Sequence, residues 1–115
     1  MGIFPSRMFR WAAIYGAAVL LPMYFTPLPA VMGETLYGFI GCALVFQGLF
    51  WMIGSNPVKY RPLMPLGVAE KLVFALPALA LFRQGYPMHP AIAAFAGVDV
   101  LLGLGFFAAW RRTPS

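Results

Sequence analysis

Glu70 and Asp99 are carboxylic acids set inside long apolar runs, and Gln47 is an amide inside a third. A charge at the middle of a membrane helix costs on the order of 2.5–3.5 kcal/mol, so each acid must be neutral, paired or hydrated. Groups of this kind serve as a general acid or base, as a proton carrier, or as the polar anchor of a lipophilic pocket. The structural alternative is interhelical hydrogen bonding that fixes a bundle. Helical spacing aligns Asp99 with Ala96, Gly103 and Phe106, and Glu70 with Gly67, Phe74 and Pro77. Both faces carry small or aromatic residues suited to a helix interface or a pocket wall. The candidate ligand-binding set is therefore Gln47, Glu70, Asp99, Phe74 and Phe106, and the candidate catalytic groups are Glu70 and Asp99. Lys71 follows Glu70 but points about 100° away on a helix, so its stem is expected to snorkel to the headgroups. Pro77 frees a carbonyl one turn earlier, near Val73, and is expected to kink its helix toward a cavity.

Other chemistry is sparse. The chain contains no Gly-rich phosphate loop, nucleophile elbow, HExxH or CxxC. His89 has no second histidine to share a metal, and the single cysteine, Cys42, reads as a small buried hydrophobe. Neither a metal nor a cofactor is expected. A quinone, sterol or lipid site would need none of these motifs, because lipophilic pockets are apolar walls with one or two polar anchors.

The elements that must position these residues follow from hydropathy. Of 115 residues, 62% are hydrophobic and 10% charged, against about 25% charged in soluble domains. Mean hydropathy is +0.81, and the apolar blocks cover the whole length. The expectation is an all-α membrane protein, a single four-transmembrane-helix domain over residues 1–115, with helices at roughly 9–25, 35–54, 66–82 and 90–110. Strands of a β-barrel would be half as long and would alternate. Ala12, Ala13 and Gly16 in the first block, Gly38, Gly41 and Gly48 in the second, and Gly97, Gly103 and Gly105 in the fourth fall at spacings that let helices approach closely. Trp11, Trp51, Trp110, Tyr37, Tyr60 and Tyr86 lie near the block ends, as an interfacial aromatic belt requires.

If the helices alternate, Arg7, Arg10, Lys59, Arg61, Lys71, Arg111 and Arg112 share one face of the membrane and Arg83 faces the other. That bias puts both termini and the proline-rich middle loop in the cytoplasm, in a multi-pass protein of the cytoplasmic (inner) membrane. The first block, preceded by arginines, also has features of a signal peptide. Leu28-Pro29-Ala30 is a poor match to a cleavage site, which favours a retained helix. A net charge of +5 is thus accounted for by orientation and anionic headgroups, and no nucleic-acid partner is expected. Membrane lipids are, with a lipophilic small molecule, a second copy of the chain or another membrane protein left open.

The stretch Asn56-Pro57-Val58-Lys59-Tyr60-Arg61-Pro62-Leu63-Met64-Pro65, then Glu70-Lys71 and Gly97-Val98-Asp99, resembles small four-helix bacterial membrane proteins of the DoxX-like group. That resemblance implies the architecture; members of the group are linked to quinone-associated redox systems, but no residue here matches a redox role. Three functions are weighed. The first is a protein that binds a lipophilic ligand or acts as an accessory subunit, with Gln47, Glu70 and Asp99 as anchors. The second is a membrane enzyme of isomerase or cyclase type, with Glu70 or Asp99 as acid or base. The third is a small proton-coupled exporter, disfavoured because the first helix lacks an acid and the charge bias is strong.

Overall fold

A computed structural model describes residues 3–114. It contains four α-helices: α1 (Phe4–Leu20), α2 (Gly33–Ser55), α3 (Met64–Arg83) and α4 (Pro90–Arg112). A 3-10 turn extends α1 over Leu21–Phe25 and another leads into α3 over Arg61–Leu63. With these extensions, all four segments are long and apolar enough to cross a membrane. No strand occurs among the described residues. The fold is that of a multi-pass, all-α membrane protein.

The helix ends follow from local chemistry. Pro5 stands in the first turn of α1, where its missing N–H costs nothing and its fixed φ suits a helix start. The helix therefore begins five residues before the expected Phe9, and Arg7 and Arg10 lie within it. At the other end Pro22 cannot supply an i to i−4 bond, and the chain tightens into the 3-10 turn. Glu34 lies in the first turn of α2, where a negative charge meets the positive end of the helix dipole. His89 caps α4: the Ala91 N–H donates to its Nδ1 at 3.0 Å. That contact gives the histidine a structural role at a helix N-terminus.

The helices pair as two antiparallel hairpins, α1 with α2 and α3 with α4. Ser6 Oγ donates to the Gly54 carbonyl at 2.6 Å. A Cβ built on Gly54 would lie 2.9 Å from the Ser6 carbonyl oxygen, so the two backbones touch where only glycine fits. Gly105 faces Met8, joining α4 to α1 at the same end of the bundle.

At this end all four helices meet in one core. Phe9, Phe50, Met64 and Phe106, one from each helix, are fully buried. Phe9 and Phe106 stack with ring centroids 4.1 Å apart, and Phe50 tilts against Phe106 at 4.8 Å. Gly67 makes room for them, since a Cβ there would come within 3.2–3.3 Å of all three rings. Arginines tie the rim. Arg61 Nε donates to the Thr113 carbonyl at 2.7 Å, and its guanidinium lies 5.1 Å from the Trp110 ring centroid. Arg10 covers Trp51 in the same way.

Beyond that core the two hairpins hold themselves separately. Leu20, Ile40 and Ala43 form a cluster belonging to α1 and α2 alone, and Ala75, Ala78 and Ala96 one belonging to α3 and α4. The bundle is thus closed at one end and divided at the other. Several small residues have a different role from the one expected of them. Gly38, Gly48 and Gly97 face open space, and Cys42 is exposed on the outside of α2 rather than buried. Helical spacing alone does not say which small-residue stripe meets a neighbour.

Candidate functional site

The division between the hairpins leaves an open-mouthed cavity of about 360 Å³, within the size range that holds small-molecule ligands. Its walls are apolar and come from all four helices, with Leu20, Leu36, Phe39, Phe74, Ile92 and Phe95 among them. Its floor, set directly on the aromatic core, is polar: Tyr15, Gln47, Glu70, Lys71 and Asp99. From Ile92 at the rim to Asp99 at the floor is about 10 Å along α4 at 1.5 Å per residue.

Asp99 and Glu70 are brought together by a residue assigned elsewhere on sequence grounds. Lys71 Nζ lies 3.7 Å from Asp99 Oδ1 and 3.5 Å from Glu70 Oε1. Its side chain is 4% exposed, against 16% for Glu70 and 19% for Asp99. The expected snorkelling to the headgroups is therefore incorrect: Lys71 is the buried centre of the polar floor. The 100° offset from Glu70 holds for the Cα–Cβ directions, but four methylenes let the ammonium swing back between the acids. Gly103 of α4 lies beside the base of this side chain, where a Cβ would stand 3.4 Å from Lys71 Cβ, an ordinary contact. Below the ammonium is the Phe50 ring, its centroid 5.2 Å away. A buried cation flanked by two carboxylates and an aromatic face is electrostatically well held.

Gln47 reaches the floor from α2. Its Nε2 donates to the Ala43 carbonyl one turn back at 2.8 Å. Its Oε1 is buried and has no hydrogen-bond partner, and neither has Glu70 Oε1, which meets Lys71 as an ion pair at 3.5 Å. The amide lies flat on α1 at Gly16, where a Cβ would fall 2.0 Å from Oε1. Gly16 is thus needed for the glutamine to fit.

Of the residues singled out on sequence grounds, Gln47, Glu70, Asp99 and Phe74 line this one cavity. Phe106 does not. It shares the Asp99 face, but two turns further on, where it enters the four-helix core and stacks on Phe9. The two phenylalanines separate by experiment. Phe106→Leu is expected to lower stability by about 1–2 kcal/mol through lost packing, while Phe74→Leu stays within about 0.5 kcal/mol because one side of that ring meets open space. Denaturant titration of helicity in micelles checks both. Sequence reasoning passed over Tyr15, Phe39 and Phe95, and gave Gly16 a general packing role and Lys71 a place among the headgroups; the structure brings all five to this cavity.

A second groove of about 530 Å³ runs on the outside of the bundle between α2 and α3, past Cys42, Phe46, Val73, Pro77 and Leu81. Phe39, Ala43, Glu70 and Phe74 line both spaces. The Phe39 and Phe74 rings stand between them, with centroids 5.8 Å apart. Pro77 faces this outer groove and does not line the inner cavity.

No three His, Cys, Asp or Glu side chains group as a metal site among the described residues. No family model, curated protein or solved structure matches the chain.

Proposed function

We propose that this is a multi-pass protein of the cytoplasmic (inner) membrane that holds a lipophilic small molecule in the cavity between its two hairpins. One observation carries the reading: a ligand-sized space with apolar walls closes on a single polar floor built from all four helices. Chains that only scaffold a partner have no need to keep their hairpins apart over a charged floor, since separated helices forgo the packing that stabilises a membrane bundle. The groove between α2 and α3 supplies a route from the acyl chains past Phe39 and Phe74, so a ligand dissolved in the bilayer reaches the site without crossing water. Catalysis of isomerase or cyclase type is less well supported, because both candidate carboxylates are engaged by Lys71. The test is native purification followed by mass spectrometry of the lipid extract, where a copurified lipophile at near one per chain is expected.

The same proposal places both termini in the cytoplasm. Arg7, Arg10, Lys59, Arg61, Arg111 and Arg112 lie at the closed end of the bundle and Arg83 at the divided end. With Lys71 internal, the asymmetry is six cations against one, still a strong positive-inside bias. In a chain carrying Cys42→Ser, cysteines introduced at Arg7 and Pro114 are expected to react with an impermeant maleimide only after the cytoplasmic face is opened, and one at Tyr86 in intact cells. Labelling of Arg7→Cys from outside would reverse the orientation, and the cavity mouth with it.

A further inference from the structure

The electrostatics of the floor restrict what the cavity can hold. Resting on the binding role proposed above, the inference starts from a count of charges: two carboxylates, Glu70 and Asp99, surround one ammonium, Lys71. With all three ionised the floor is one negative charge in excess. The atoms without a hydrogen bond point the same way. Among the described residues the two buried side-chain polar atoms that lack one, Gln47 Oε1 and Glu70 Oε1, are both acceptors, the second held only by its ion pair with Lys71. The orientation of the Gln47 amide is fixed by its neighbour, because the Ala43 carbonyl can only accept and so must take Nε2. Its oxygen takes no hydrogen bond from any residue of the floor, the Tyr15 hydroxyl included, on a side chain only 5% exposed. Lys71 does not fill the need, since its ammonium is already placed between two carboxylates above the Phe50 ring. An unpaired buried acceptor forfeits a hydrogen bond, so a guest that brings a donor gains what a guest that brings an acceptor loses.

The geometry points to a lipophilic amine, bound in its protonated form, as the class of ligand this cavity takes. The ammonium donates to Glu70 Oε1 and Gln47 Oε1 and brings the floor to neutrality. The hydrocarbon part lies along Phe39, Phe74 and Phe95, whose ring faces also favour a cation near them. A carboxylate-headed lipid would add a third negative charge to the floor, and a quinone, which carries acceptors alone, would bring no donor to Gln47 Oε1 or Glu70 Oε1.

Three probes of one skeleton test this in nonionic micelles at neutral pH: phenylbutylamine, phenylbutanol and phenylbutanoate, each corrected for partition into protein-free micelles. The amine is expected to bind about tenfold more tightly than the alcohol, and the carboxylate most weakly. In Glu70→Gln the ratio of amine to alcohol affinity is expected to fall to about one, because the excess negative charge is gone. The wild-type comparison decides the matter even if that variant does not fold. Equal or tighter binding of the alcohol or the carboxylate would overturn the assignment of an amine while leaving the cavity as a binding site. Failure of all three probes to bind saturably would overturn both.

Discussion

Replacing Lys71 by Met is expected to destabilise the bundle by about 3–5 kcal/mol, the cost of breaking a buried ion pair by removing one partner. The thioether keeps the volume and the apolar stem but leaves Glu70 and Asp99 facing one another without the cation between them. The loss then comes from uncompensated charge and not from a hole. That account has an internal check: Lys71→Met combined with Glu70→Gln and Asp99→Asn should recover most of the stability, since no charge remains to be paired. Lys71→Arg keeps the charge but sets a larger planar group where an ammonium sits 3.5–3.7 Å from both carboxylates, and should cost about 1–3 kcal/mol through overpacking. Denaturant titration of helicity measures all three. A change within 0.5 kcal/mol for Lys71→Met would mean that the ammonium lies in water or headgroups and that the acids do not depend on it.

Much of the scaffold could be read from hydropathy because membrane spans are long and their signal is redundant. A run of some twenty apolar residues survives the misplacement of either end, which is why the first helix was identified although it starts five residues early. The Asp99 face was legible for a related reason: Ala96, Gly103 and Phe106 follow from helical period alone, and all are buried. Depth along that face was not. Asp99 and Phe106 differ by two turns, and whether a position meets a cavity or a core depends on how neighbouring helices splay, which no single-helix pattern records.

Lys71 illustrates a different limit. Its direction was right for the backbone and wrong for the charge, because a long flexible side chain takes its end point from its partners. The partner here is 28 residues away on another helix. Gln47 is similar. Its place in the floor depends on Gly16 across the α1–α2 contact, and the sequence shows a glycine in each of several stripes without marking the one that counts. The helix pairing selects it: Gly16 lies against Gln47, whereas Gly38 and Gly48 meet nothing.

The claim on which the functional reading rests is that the space between the hairpins is occupied in the membrane. Val19 on α1 and Ile92 on α4 both line it, one from each hairpin, and neither belongs to the four-helix core. The double substitution Val19→Trp/Ile92→Trp introduces two indoles into the cavity without touching Gln47, Glu70, Lys71 or Asp99, so it should remove the ligand's room while sparing the floor and the closed end. Wild type and variant, purified side by side from the same membranes in the same detergent, are compared by mass spectrometry of their lipid extracts. The expected result is a lipophile present at near one per chain in the wild type and reduced at least about tenfold in the variant, the drop that a loss of 1.4 kcal/mol or more in binding would produce. A wild-type extract with no enriched species, or one equally enriched in a folded variant, would contradict the account.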